Sequence, residues 1–149
     1  METGLEQAEK GEEPPQKRIL IVDDEEQIRY FLGLNLSGEG YIVDTAENGE
    51  EAIQKLDSEN PPDLVLLDLS MPGIDGYGVL SRMDKLKIKA PVLIFSTQGD
   101  AIIKDNKRMG LEEFQEEYPK VKIQGILRKP DDILEGGILR IIHATLKKP

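Results

Sequence analysis

At 149 residues, with 38% apolar and 32% charged residues and a formal net charge of −10, the chain has the size and make-up of one acidic globular domain. The absence of cysteine excludes a disulfide framework, a thiol nucleophile and a thiolate zinc site. An acidic chain without a basic arm is poorly suited to direct nucleic-acid binding, because neutralising phosphates needs clustered Lys and Arg.

Residues 1–16 hold five Glu against one Lys, with Gly and Pro and few apolar side chains. Such a segment cannot bury enough surface to offset its ordering entropy, so it reads as a disordered acidic tail, with a partner-binding role as the alternative. No charged-then-apolar signal segment opens the chain, and no apolar run approaches the ~20 residues that cross a bilayer. A cytoplasmic protein without membrane insertion is expected.

From Lys17 the pattern alternates strands and helices. Arg18 to Val22 reads as a strand. Glu25 to Ser37 reads as a helix, with Ile28, Phe31, Leu32 and Leu36 on its inner face and Gly38 and Gly40 ending it. Tyr41 to Ala46 is the second strand, Gly49 to Ser58 the second helix, and Asp63 to Leu67 the third strand. The third helix starts near Gly76 and turns Val79, Leu80 and Met83 inward. Val92 to Phe95 is the fourth strand and about Val121 to Leu127 the fifth. A last helix spans Asp131 to Leu146, with Asp131 or Asp132 as N-cap and a break expected at Gly136-Gly137. Five strands alternating with helices predict an α/β domain over 17–149: a doubly wound, five-stranded parallel sheet with helices on both faces.

Two strand tips carry acid. Asp23-Asp24 follows Ile19-Leu20-Ile21-Val22, and Asp68 follows Leu64-Val65-Leu66-Leu67. Runs of four apolar residues suit strands buried on both faces, and Pro72, Gly73 and Gly76 then break the third strand into a loop. In open α/β sheets, ligands collect at such carboxyl ends. Three crowded carboxylates there would attract a hard divalent cation. A single strand-tip Asp would more simply cap a turn; the three together with the loop favour a site.

These residues resemble the receiver domain of two-component response regulators. The resemblance rests on Asp23-Asp24, on Asp68-Leu69-Ser70-Met71-Pro72-Gly73-Ile74-Asp75-Gly76, on Pro91-Val92-Leu93-Ile94-Phe95-Ser96 and on Lys129-Pro130, in order and at strand tips. It covers roughly Lys17 to Lys147 and implies a flavodoxin-like receiver fold. It implies Asp68 as phosphoacceptor, Mg²⁺ held by Asp23, Asp24, Asp68 and the Ser70 backbone carbonyl, and contacts to the phosphoryl group from Ser96 and Lys129. Lys129 would pair with Asp68 before reaction, and the Lys129–Pro130 peptide would be cis. Thr97 competes with Ser96 as the hydroxyl donor, and with Ser70 it occupies a position that tunes hydrolysis of the acyl phosphate; simple surface variation is the alternative. The implied partners are a histidine kinase or phosphotransfer protein and an unidentified output protein. The implied activity is that of an acceptor that takes and loses a phosphoryl group, not that of an enzyme acting on other substrates. His143, the only histidine, is read as structural or solvent-facing.

The pattern departs from the family between the fourth and fifth strands. Thirty-two residues separate Ser96 from Lys129, longer than the common receiver spacing, with the surplus in Gly99 to Lys122. One or two helices are expected there, with Leu111, Phe114 and Tyr118 on one apolar face used for core packing or, alternatively, for a partner. Ile126 stands where the family places a switch aromatic. A receiver-fold binding module that signals without phosphorylation is therefore the alternative function. A phosphohydrolase is less favoured, because Ser70 stands where those enzymes place a second Asp.

Overall fold

Period-two alternation sorts the strand residues between two cores. A computed structural model of the protein describes residues 16–97, 102–129 and 137–147. Along β1 (Arg18–Val22), Leu20 and Val22 enter one core while Ile19 and Ile21 enter the other. Along β3 (Leu64–Asp68), Val65 and Leu67 join the first core, Leu64 and Leu66 the second. The first face is covered by α2 (Gly49–Leu56), α3 (Gly76–Leu86) and α4 (Leu111–Glu117), through Ala52, Leu56, Val79, Leu80, Met83 and Phe114. The second is covered by α1 (Glu26–Gly38) and α5 (Gly137–Lys147), through Leu32, Leu36, Ile138 and Ile142. Full burial of each such Leu or Ile is worth about 1.5–3 kcal/mol.

The remaining strands of the main sheet are β2 (Ile42–Ala46), β4 (Pro91–Ser96) and β7 (Lys122–Arg128), and the order is β2-β1-β3-β4-β7, all parallel. The expected five-stranded, doubly wound sheet is present. Its order reverses between β1 and β3, the switch point at whose carboxyl ends ligands bind. A bulge shifts the β4–β7 register, because Ile123 faces Val92 while Gly125 faces Leu93, leaving Gln124 as the extra residue.

Several expectations change. Among the described residues the segment after β4 holds one short helix, α4, within the one or two expected, but an unexpected antiparallel hairpin of β5 (Ile103–Lys104) and β6 (Lys107–Arg108) precedes it. Asp105 and Asn106 turn it with φ of 52° and 63°, the paired left-handed geometry of a tight two-residue hairpin turn. Of the expected apolar face, Phe114 and Tyr118 are buried but Leu111 is 44% exposed. Phe31 is likewise exposed, since Leu32 and Leu36 fill the core side of α1. The acidic segment up to residue 15, the proposed caps Asp131 and Asp132, Gly136 and Pro130 lie outside the described residues.

Lys104 fastens the hairpin. Its ammonium sits 4.9 Å from the Tyr77 ring centre and 5.7 Å from that of Tyr118, and pairs with the Glu117 carboxylate. Burial alone would lower its pKa, but the bond to Glu117 and the one to the Tyr118 hydroxyl hold it above the ordinary value. His143 is half-buried, as a structural reading expects, with Nδ1 2.6 Å from the Tyr41 hydroxyl and Nε2 3.2 Å from Glu39.

Candidate functional site

The site forms where three strand ends meet. β3 is buried along its whole length and delivers Asp68 at its last residue, 4% exposed. Asp23 follows β1 and is fully buried; Asp24 beside it is exposed. One oxygen from each of Asp23, Asp24 and Asp68 lies within 4.8 Å of the others. Lys129 follows β7, and its backbone N–H donates to the Ser96 carbonyl at 2.9 Å, which joins the ends of β7 and β4. Asp24, Glu25, Asp68, Ser70, Ser96, Thr97 and Lys129 line a cavity of about 250 Å³. All the residues expected from the sequence therefore converge, with Thr97 beside Ser96 on the same wall.

The local backbone explains the precision. Gly76 donates to the Leu69 carbonyl at 3.0 Å, folding the loop back on β3. A Cβ at Gly76 would come within 2.5 Å of the Asp68 carbonyl oxygen and 2.6 Å of Leu69 Cα, so only glycine permits this approach. Asp75 then caps α3 by accepting from Gly78 N–H. Ser70 N–H donates to Asp68 Oδ1 at 3.2 Å, and Glu25 N–H to Asp23 Oδ1 at 2.8 Å.

Charge is unevenly compensated. Lys129 Nζ lies 2.8 Å from Asp23 Oδ2, 3.2 Å from Glu25 Oε1 and 3.5 Å from Asp68 Oδ1, so Asp68 is its most distant acidic neighbour. The expected Lys129–Asp68 pair exists but is not the tightest of the three. Burial first, and then the neighbouring Asp23 charge, push Asp68 up to about 7 against the weaker pull of Lys129 and Ser70 N–H. Burial also raises Asp23 above the usual carboxylate range. Lys129 is held above its ordinary value, because the bond and charge of Asp23 outweigh its burial.

These atoms fit a divalent cation. Asp23 Oδ2 is buried, and its partner among the described residues is the Lys129 ammonium at 2.8 Å. It shares a cluster of hard oxygen donors with two further carboxylates, one of them open to solvent. Two residues of the site were not anticipated from the sequence. Glu25 contacts Lys129, and Arg29 Nη1 donates to the Asp23 carbonyl at 2.8 Å. A larger cavity, about 550 Å³, opens at the opposite end of the sheet between Lys17, Pro62, Ile88 and Leu146. It has no comparable cluster of acids, so size does not select it as the site.

Comparison with known proteins agrees with this geometry. The response regulator receiver domain matches residues 19–132. The alkaline phosphatase synthesis transcriptional regulatory protein PhoP of Bacillus subtilis is 39% identical over 102 residues, covering 68% of this chain and 41% of that protein. The transcriptional regulatory protein ResD of the same organism is 41% identical over 101 residues, covering 68% and 40%. This chain thus spans less than half the length of both relatives. Among solved structures, the Thermotoga maritima response regulator TrrA in complex with Mg²⁺ and BeF is 36% identical, with a TM-score of 0.60 over 85% of this chain and 99% of that one. The N-terminal domain of a response regulator receiver protein from Methanoculleus marisnigri is 30% identical, with a TM-score of 0.60 over 91% and 100%. With sheet order, acid cluster and strand-tip lysine all in agreement, the chain belongs to the response regulator receiver domain family.

Proposed function

We propose that this receiver domain is a phospho-accepting switch, with Asp68 as the acceptor for a phosphoryl group from a histidine kinase or phosphotransfer protein. The observation that carries the reading is the convergence of Asp68, Ser96 and Lys129 on one cavity at the sheet's switch point. An oxygen of the Asp68 carboxylate attacks phosphorus and forms the new P–O bond. The P–N bond to the donor imidazole breaks, and its electron pair returns to the ring nitrogen. Ser96 donates its hydroxyl hydrogen to one phosphoryl oxygen, and Lys129 offers a compact cation to another. Asp23, Asp24, Asp68 and the Ser70 carbonyl would hold Mg²⁺, which when bound neutralises charge on the phosphoryl oxygens. TrrA, bound to Mg²⁺ and BeF, supports that assignment by likeness.

The domain acts as a stoichiometric acceptor that later loses its acyl phosphate to water, and its output is a changed protein contact. PhoP and ResD are named as transcriptional regulators, but they extend well beyond the matched region. The acidic charge of this chain favours a protein rather than a nucleic acid as its direct partner. Among the described residues no helix is long and apolar enough to cross a membrane. A cytoplasmic location goes with the histidine-kinase donor in this reading. One observation favours a phosphorylation-independent binding module instead: Ile126 and the inserted hairpin replace the family's switch region. Intact mass after incubation with acetyl phosphate and Mg²⁺ decides between them. One phosphoryl group on wild type and none on Asp68→Asn is expected. An unmodified wild type, or equal modification of the variant, would refute the acceptor.

A further inference from the structure

Glu25 occupies the N-cap of α1 but does not cap it, since its side chain accepts no hydrogen bond from the first helical turn. Its carboxylate turns instead to Lys129, which is 104 positions away and 3.2 Å distant. Glu25 is 60% exposed at its side chain while Lys129 is 6% exposed, so the pair joins a buried ammonium to an acid at the exposed edge of the site. Asp68, itself buried, stands 3.5 Å from the ammonium, beyond ordinary hydrogen-bond range.

We propose that Glu25 is a positioning residue that holds Lys129 back from Asp68 in the resting state and so sets the affinity of the site for a phosphoryl group. The inference rests on the phospho-acceptor reading above. An ammonium has three donors, and here three carboxylates compete for them. A phosphoryl group on Asp68 has to win Lys129 from Glu25 as well as from Asp23. An exposed ion pair is worth about 0.2–1 kcal/mol, so releasing Lys129 should tighten phosphoryl binding about 1.5- to 5-fold.

The test measures beryllofluoride affinity with saturating Mg²⁺ in wild type, Glu25→Gln, Lys129→Gln and the double variant, with Glu26→Gln as a charge control. Glu25→Gln should bind about 1.5- to 5-fold more tightly, with no gain in the Lys129→Gln background and none for Glu26→Gln. Unchanged or weaker binding by Glu25→Gln overturns the proposal. So does an equal gain without Lys129 or from Glu26→Gln, which would mean bulk charge alone. Urea unfolding of the same four proteins without metal gives the Glu25–Lys129 coupling independently of any phosphoryl mimic. Zero coupling there also overturns the proposal, whatever beryllofluoride does. If coupling is present but wild type binds no beryllofluoride, the acceptor reading fails and Glu25 is reduced to a structural contact.

Discussion

Asp68→Asn should stabilise the metal-free protein at pH 8 and leave it almost unchanged at pH 4. Asp68 is held at about 7 in the folded state against an ordinary value of 3.8. Its folded value is raised, so its contribution to stability is fully present below 3.8 and is lost as pH rises through about 7. By pH 8 the buried carboxylate is ionised in both states, and the gap costs the fold about 4 kcal/mol. Asn carries no charge to bury, yet its side-chain oxygen can still accept from Ser70 N–H. The variant should therefore gain about 4 kcal/mol over wild type at pH 8 and under about 1 kcal/mol at pH 4. Urea unfolding in EDTA, followed by far-ultraviolet circular dichroism, reads both differences. Saturating Mg²⁺ at pH 8 should shrink the gap by stabilising wild type selectively. A variant no more stable than wild type at pH 8, or an offset that ignores pH, would refute the argument that burial and Asp23 load this carboxylate.

The acid cluster should make Mg²⁺ raise the melting temperature of wild type, and Asp24→Ala should lose most of that rise; an equal shift in the variant would remove Asp24 from the ligands. Gly76→Ala should cost about 1–3 kcal/mol or more in chemical denaturation, because the new Cβ meets backbone at Asp68 and Leu69 that cannot yield cheaply. Lys104→Met should speed amide exchange across residues 103–109 while leaving the uptake of a phosphoryl group from acetyl phosphate unchanged. Exchange as slow as in wild type would show that Lys104 does not fasten the hairpin.

The strand tips were legible in the sequence because fully buried parallel strands leave an unmistakable apolar run, and the acids stand immediately after it. The same logic gave α3, where Val79, Leu80 and Met83 are all buried as their spacing predicts. It failed for Phe31 and Leu111, where an apolar residue at the border of a helical face turns outward once its neighbours fill the core. The hairpin was missed although Asp105-Asn106 is a pair of residue types that tolerate left-handed backbone. Strands of two residues are too short to show a period, and three of the four carry long basic side chains. Glu25 was invisible for another reason. Its partner lies across the sheet, and no local pattern marks a carboxylate as belonging to Lys129 rather than to the helix it precedes.

The reaction end of the domain follows its family while the output side does not, and the packing shows why these two facts are compatible. The loop that leaves Asp68 runs directly into Tyr77, whose ring stacks on Phe114 of α4 with centroids 6.0 Å apart. Tyr77 also receives the ammonium of Lys104 from the hairpin. Adjacency of this kind is not coupling by itself; coupling requires an element with two arrangements whose balance the site can bias. Ile126 is a poor candidate, since it packs into the core beneath α4 and carries no aromatic ring to reorient. The hairpin is better suited. Ile102 and Met109 anchor its base with a backbone bond of 2.7 Å, whereas Ile103, Asp105, Asn106, Lys107 and Arg108 are exposed. An element with so little buried surface opens at low free energy. Ile126 thus lacks the ring that the family's switch would turn, while the exposed hairpin is the element that touches Tyr77 through Lys104.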